Sequence, residues 1–350
     1  MLNLDLDNPL IFLMGENGIG KTSILEALHY ACYLKSFKTH IPKELIQIEQ
    51  SGFSIHVSLS DKQDMRDDIT IGFTGTKRSV KINQKAAQSY KELITLYKVI
   101  TLTEDDLMLV KGAPSMRRSF LDQLLILLDP AYTESIRKCK IILDNRNAFL
   151  ASGTKDLEQY LLWTDQLLTV TKYIQKKRTE LVHELKTHVN QLGAHIFAGS
   201  DLFALTYKRA GPYILTDNIL DGTSLIEKYP RLFGHEHAFK RSLFGAHLDD
   251  FHIVFQNKMA RLFASRGQQK CIVFLLKLAQ LKSIHTHENS DSAIFLIDDF
   301  MVDLDKEKMA ALIPLITQLS RQVIITSPIE QTILKDILYS HEPGSKIITL

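Results

Sequence analysis

Five consecutive apolar residues, Leu10-Ile11-Phe12-Leu13-Met14, predict a strand buried on both faces. A glycine-rich segment follows at once, and residues 22–34 then place Ile24, Leu25, Leu28 and Cys32 on one face of a helix. Residues 53–59 and 69–73 alternate with period two, and the polar break Asp61-Lys62-Gln63-Asp64 between them predicts a hairpin-like, antiparallel region. From Ser115 the period lengthens to that of a helix, through Phe120, Leu121, Leu124, Leu125 and Leu128, with Pro130 as a boundary. Residues 132–151 and 157–197 read as two further amphipathic helices joined by the loop Ser152-Gly153-Thr154, which together predict an antiparallel helical arm with Trp163 as a core anchor. Weaker strands and Gly, Pro and Asp turns occupy the chain from Gly199 to about Gly245. An almost wholly apolar helix is expected at 271–284, and buried strands at 293–297 and 322–326.

The glycine segment between the first strand and helix carries chemistry. Gly15-Glu16-Asn17-Gly18-Ile19-Gly20-Lys21-Thr22 fits the phosphate-loop pattern G-x-x-x-x-G-K-[ST] and sits in the required strand–loop–helix setting. Such a loop turns successive backbone N–H groups toward phosphates, and the helix N-terminus adds partial positive charge. Lys21 is expected to reach the β- and γ-phosphates of a nucleotide, and the Thr22 hydroxyl to hold Mg2+. The partner motif is Phe295-Leu296-Ile297-Asp298-Asp299, an apolar strand ending in two acids. Asp298 is expected to bind the metal, and Asp299 to polarise the attacking water. Nearly the whole chain separates the two motifs, so their strands must meet in one sheet and the helical stretch after Ser115 must be an insertion. That order argues against a compact nucleoside-monophosphate kinase or GTPase.

Composition narrows the class. The 350 residues are 45% hydrophobic and 23% charged, which suits a globular chain with a sizeable core and excludes disorder of the whole. Lys and Arg number 42 against 40 Asp and Glu, a formal net charge of +2, so a polyanion site has to be a local patch. Cys32, Cys139 and Cys271 form neither a disulfide framework nor a zinc spacing, and the scattered histidines, His235 and His237 included, lack further ligands at metal spacing. With no signal-peptide pattern and no apolar run of membrane-spanning length, a cytoplasmic protein with no membrane partner is expected.

Ser265-Arg266-Gly267-Gln268, opening the apolar helix before the Asp298 strand, resembles the S-x-G-Q signature of ABC-type ATPases, and Val302-Asp303-Leu304-Asp305 follows Asp299 closely. In those ATPases the signature serves the γ-phosphate held by the other subunit, so Ser265, Gly267 and Gln268 join the expected nucleotide-binding residues. Further words are similar to those of the bacterial RecF family, relatives of the SMC ATPases. They are residues 15–27 with Lys35-Ser36-Phe37-Lys38, Thr103-Glu104-Asp105-Asp106-Leu107 running on to Arg117-Arg118-Ser119-Phe120-Leu121-Asp122, and Gly245-Ala246-His247-Leu248-Asp249-Asp250-Phe251. They occur in family order along nearly the whole chain.

The resemblance implies an α/β fold, an ABC/SMC-type ATPase head with a mixed, partly antiparallel sheet, split by an inserted helical arm. The expected division is residues 1–114 and 246–350 for the ATPase lobe and 115–245 for the arm. It also implies a weak, DNA-stimulated ATPase that forms an ATP-dependent homodimer on single-stranded or gapped DNA. Such a protein acts with RecO and RecR mediators in gap repair and the SOS response. Departures from the family pattern are specific. The strand and Asn-Phe-Arg turn that members carry before the loop do not precede Gly15, so an edge strand and part of the adenine-side wall are expected to be missing or to lie upstream of Met1. Leu248 replaces an arginine, Glu104 a proline, and no histidine occurs in the loop after Thr326 to serve as a γ-phosphate sensor. An ATPase-deficient scaffold is the alternative that the short N-terminus suggests. DNA contacts are sought in Lys35/Lys38 and in Lys172, Lys176, Lys177 and Arg178, ahead of Arg117/Arg118 and Arg137/Lys138/Lys140. His247 is expected to make an architectural hydrogen bond.

Overall fold

The computed structural model describes residues 2–60, 66–87, 91–197, 202–288, 293–300, 306–328 and 344–350. The polar break at 61–64 and the segment Val302-Asp303-Leu304-Asp305 lie outside the described residues. The chain forms two compact units, Met1–Asp106 with Lys277–Leu350, and Leu107–Leu276.

In the first unit a five-stranded parallel sheet has the order β12-β1-β11-β10-β6, made of β1 (Leu10–Met14), β6 (Lys98–Leu102), β10 (Ala293–Ile297), β11 (Gln322–Ser327) and β12 (Ser345–Thr349). Strands β1, β6 and β10 are buried at every position, and β1 and β10 accordingly read as unbroken apolar runs rather than as alternation, whereas Lys98 and Thr101 interrupt the pattern in β6. Leu13 pairs with Thr326, and Ile297 with both Ile325 and Leu102, so the carboxyl ends of β1, β11 and β10 lie side by side. Loops leaving that end of a parallel sheet form its natural binding crevice. Helix α1 (Lys21–Tyr33) packs Leu25, Leu28 and Ala31 into a core shared with Ile11, Leu13, Val99, Leu296 and Ile324. Its last residue, Tyr33, covers the sheet edge: the hydroxyl donates to Val99 O at 2.6 Å and accepts from Val99 N at 3.2 Å.

A second sheet, β2 (Phe53–Ser60), β3 (Arg66–Phe73), β4 (Arg78–Ile82) and β5 (Lys85–Ala86), is an antiparallel meander. Strand β2 alternates between half-buried and exposed residues along its whole length, matching its period-two sequence. The unit is completed by α2 (Lys91–Leu96), by α11 (Lys306–Leu319) and by the end of α10 (Arg266–Glu288), whose Lys277 is buried and donates to Thr101 O at 2.7 Å and Asp106 Oδ1 at 2.8 Å.

The second unit is largely helical. After α3 (Met108–Lys111) come α4 (Pro114–Leu128), α5 (Pro130–Ser152) and α6 (Leu157–Gly193). Asp129 caps α5 and Asp156 caps α6, each accepting a backbone N–H, and Gly153 ends α5 with φ 77. The short loop folds α5 and α6 into the expected hairpin, in which Trp163 is partly buried against Phe149, Leu150 and Tyr160. A three-stranded antiparallel sheet, β7 (Phe203–Lys208), β8 (Asp250–Phe255) and β9 (Lys258–Met259), packs with α4 and α6. Where turns were expected, α7 (Gly222–Lys228) and α8 (Leu232–Phe239) form, followed later by α9 (Ala260–Phe263). A capping box between Asp221 and Ser224 starts α7, and full burial of Leu225 and Leu232 offsets the low helix preference of Gly222 and Gly234.

Candidate functional site: a phosphate loop facing two carboxylates

The loop between β1 and α1 is shaped by its glycines. Gly18 and Gly20 have φ 87 and 108, in the left-handed region, although a Cβ at either position would meet nothing within 4 Å. Backbone conformation, not space, therefore excludes other residues there. Gly20 opens α1, and neither a side-chain cap nor an acid occupies the first turn, so the helix N-terminus is presented unneutralised. Lys21 is only 4% exposed, and its ammonium donates to Gly15 O at 2.8 Å and Glu16 O at 3.0 Å. The lysine is curled back into the loop that Gly15, Glu16, Asn17, Gly18, Ile19 and Gly20 form.

Thr22 makes the decisive contact. Its hydroxyl donates to Asp298 Oδ1 at 2.9 Å, joining positions separated by 276 residues. Asp298 follows β10 directly, its N–H held by Leu102 O at 2.9 Å. Burial raises the Asp298 carboxyl above its ordinary range, and the neighbouring Asp299 adds to this, while hydrogen bonds from Thr22 and Thr326 and the charge of Lys38 oppose it. Asp299 adopts a left-handed backbone, φ 49, and donates its N–H to Thr326 Oγ1 at 2.9 Å. Thr326, at the end of β11, was not among the residues singled out from sequence. The available signal was a polar β-branched residue ending a run of buried apolar ones.

Oxygen donors dominate this corner: a threonine hydroxyl, a half-buried carboxylate and a second carboxylate beside it. Among the described residues no group of three or more His, Cys, Asp and Glu gathers as a complete metal cage. That set fits Mg2+, which takes one or two protein oxygens and draws its remaining ligands from phosphates and water.

Ser265, Gly267 and Gln268 open α10 in the second unit. Ser265 N donates to the Gln268 side chain at 2.8 Å and Gln268 N to Ser265 Oγ at 3.3 Å, a reciprocal capping box. A Cβ on Gly267 would meet nothing within 4 Å, and Ser265 and Gly267 are exposed. A cavity of about 280 Å3 beside them is lined by Phe255, Gln256, Lys258, Phe263 and Gln268.

Among the basic residues considered for DNA contact, Arg117 and Arg178 are buried, and Arg118 and Lys177 are half-buried and hydrogen-bonded within the second unit. Arg178 is 3% exposed and pairs with Asp122 through Nε at 2.9 Å and Nη2 at 2.8 Å, and Lys177 pairs with Asp129 at 2.8 Å. Arg117 is bidentate to Asp250 at 2.6 and 3.0 Å, and Arg118 donates to Asp249 O at 2.7 Å. Asp249, fully buried, accepts from Gln175, Tyr207 and Ala210 N. Burial pushes His247 down to about 4, against an opposing backbone hydrogen bond with Ser242. Arg137, Lys138, Lys140, Lys176, Lys35 and Lys38 are exposed.

Residues 2–338 match the family described as the RecF/RecN/SMC N terminal domain. The DNA replication and repair protein RecF of Natranaerobius thermophilus is 30% identical over 340 residues, covering 93% of this chain and 87% of that protein. Its counterpart in Leptospira interrogans serogroup Icterohaemorrhagiae serovar Lai is 29% identical over 333 residues, covering 94% and 88%. A solved structure of the recombination mediator protein RecF-ATP in the RecFOR pathway superposes with a TM-score of 0.80 at 21% identity, covering 94% of this chain and 88% of that one. The Smc head domain derived from Pyrococcus furiosus follows at 0.51 and 15% identity, covering 98% and 87%. These two likenesses carry the fold, an ATPase head of the SMC kind, with parallel and antiparallel sheets. Matched over nearly its full length, the chain belongs to the RecF family within the RecF/RecN/SMC N terminal domain proteins.

Proposed function

We propose that this chain is an ATP-binding DNA replication and repair protein with a weak, DNA-stimulated ATPase activity. The observation that carries the reading is the 2.9 Å hydrogen bond from Thr22 to Asp298, because it brings a phosphate loop and a half-buried acid into one site. Gly15 to Gly20 supply the phosphate cradle, and Lys21, already inside the loop, exchanges carbonyl partners for β- and γ-phosphate oxygens. Thr22 and Asp298 hold Mg2+, which when bound neutralises charge on the transferring phosphate. Asp299 orients and polarises the attacking water. Ser265, Gly267 and Gln268, presented openly at a helix N-terminus, complete the site of a second copy, so that ATP links two chains into a dimer.

Relatives named for DNA replication and repair, and a structural neighbour described as a recombination mediator of the RecFOR pathway, support DNA and mediators of the RecO and RecR kind as partners. Exposed lysines and arginines supply sequence-independent phosphate contacts, consistent with single-stranded or gapped DNA read by charge. No helix among the described residues is long and apolar enough to cross a membrane.

The test is ATP binding and hydrolysis with and without gapped DNA, on the wild type and Lys21→Ala. Loss of the buried ammonium is expected to weaken ATP binding about a hundredfold or more, the value of two charge-assisted hydrogen bonds. A wild-type chain that binds no ATP at millimolar concentration makes the protein a scaffold and overturns the reading.

A further inference from the structure

Strand β11 lies between the strands that carry the two motifs, β1 and β10. Its Val323, Ile324 and Ile325 are fully buried, and the run ends in Thr326, 1% exposed. The register sets Thr326 beside Leu13 of β1, and Ile325 beside Ile297, one residue before Asp298. The fold thus places the buried Thr326 hydroxyl on the strand that lies between those leading into the phosphate loop and into the two acids.

That hydroxyl has more partners than one role requires. Thr326 Oγ1 accepts the Asp299 N–H at 2.9 Å, and it has Asp298 Oδ1 at 3.0 Å and Asp299 Oδ1 at 3.3 Å as acceptors. A hydroxyl has one proton, so it serves one carboxylate at a time and can turn between them. Asp298 Oδ1 already receives the Thr22 hydroxyl. Asp299 is a non-glycine residue at φ 49, a conformation that needs its surroundings to hold it, and its N–H to Thr326 is such a hold.

We propose that Thr326 is a positioning residue of the hydrolytic site: one buried hydroxyl fixes the Asp299 backbone and turns its single O–H, as a hydrogen-bond donor, between the two carboxylates. With the O–H turned to Asp298, that carboxylate is oriented together with Thr22. With it turned to Asp299, Asp298 keeps only the Thr22 hydrogen bond, which would leave it open to hold a metal ion, and Asp299 is fixed through both its N–H and its carboxylate. A residue at this point must accept an amide proton and donate its own from the same atom. Serine meets that requirement, and valine, of nearly the same shape, does not. The inference rests on the ATPase reading of the loop, but the hold on Asp299 exists without nucleotide.

The experiment uses the full chain as wild type, Thr326→Val and Thr326→Ser. In nucleotide-free protein, amide exchange read by mass spectrometry on the peptide bearing Asp299 is expected to quicken about tenfold in the valine variant and to stay near wild type in the serine variant. The peptide of β1 serves as the control for global loosening. In turnover, valine is expected to lower kcat about tenfold with KM changed less than about twofold, since phosphate contacts are intact, and serine to recover all but about threefold. Asp299 protection and kcat that survive in the valine variant overturn the proposal. So does a serine variant as impaired as valine. If the wild type hydrolyses no ATP, the hydrolytic role falls together with the reading beneath it, and the nucleotide-free exchange arm identifies that case, because the valine effect on Asp299 is still seen.

Discussion

Arg146 and Glu236 offer the sharpest test of how the second unit is held together. Both side chains are 0% exposed. Arg146 donates to Glu236 at 3.0 and 2.5 Å, to Ser242 Oγ at 2.8 Å and to Thr164 Oγ1 at 3.1 Å, with the Tyr160 and Phe244 rings 4.8 and 5.0 Å from its guanidinium carbon. Glu236 also accepts the Tyr160 hydroxyl and Leu243 N, each at 2.7 Å. Glu236→Gln keeps the volume but strands a guanidinium that cannot shed its proton, which is expected to cost about 3–5 kcal/mol. For a unit of this size that is a fall of roughly 6–20 °C in melting temperature. Arg146→Met is expected to cost less, because Glu236 retains two donors and a carboxylate can be neutralised by a proton. The double variant Arg146→Met/Glu236→Leu is expected to regain only part of the loss, since the Tyr160 hydroxyl and Leu243 N then lack acceptors at about 1–3 kcal/mol each. Urea and thermal melts followed by a probe in residues 107–276 measure all three. A Glu236→Gln loss under about 1 kcal/mol, or one smaller than that of Arg146→Met, refutes the reasoning.

Burial, assisted by the charge of Lys277, pushes His29 down to about 4, with its Nδ1 2.8 Å from Thr101 Oγ1. The unfolded chain therefore takes up the proton first, near pH 6.5, so stability is whole above that pH and falls as pH drops toward 4, by up to about 3 kcal/mol. Urea midpoints from pH 7 to 4 should show the slope, and His29→Gln should flatten the part contributed by the first unit; an unchanged slope removes the assignment. At the signature, Ser265→Ala removes the capping box and is expected to cost about 1 kcal/mol of stability. Ser265→Arg is expected to leave ATP affinity unchanged while abolishing ATP-dependent dimers in sedimentation, and a variant that still dimerises would sink the shared-site mechanism.

The parts of the fold that were legible in sequence are those where local pattern and tertiary burial agree. Leu10–Met14, the glycine loop, α1 and Ala293–Ile297 needed no distant information, because unbroken apolar runs and obligate positive φ leave few alternatives. Strand β6 was not read, since it opens with Lys98 and is only five residues long, yet it is buried throughout. The two short helices of residues 222–239 were hidden behind Gly222, Pro230 and Gly234, residues that argue for turns until Leu225 and Leu232 find a core. Thr326 stayed invisible because its partners, Asp298 and Asp299, lie 28 and 27 positions away and only the strand order brings them to it.

Three arginines are buried for a different reason, which bears on function. Arg146 stands on the stripe Cys139, Ile142, Phe149 and Leu150, and Arg178 on the stripe Ile174, Leu181 and Leu185, so each occupies an apolar position of its helix. A cation at such a position points inward and must find an anion. Glu236 and Asp122 are those anions, and Arg117 finds Asp250 in the same way. Pairs of this kind return little net stability after desolvation, but a guanidinium that fits one distant carboxylate rejects slipped helix packings, which an apolar stripe alone would tolerate. Charge spent on register is unavailable to a polyanion. Of the clusters that could face DNA, Lys35/Lys38, Arg137/Lys138/Lys140 and Lys176 remain at the surface, and Lys38 already lies within the field of Asp298. The near-neutral total of the chain thus conceals a division of labour, in which three arginines fix the second unit and a separate exposed set is left for phosphate contacts of the kind proposed above.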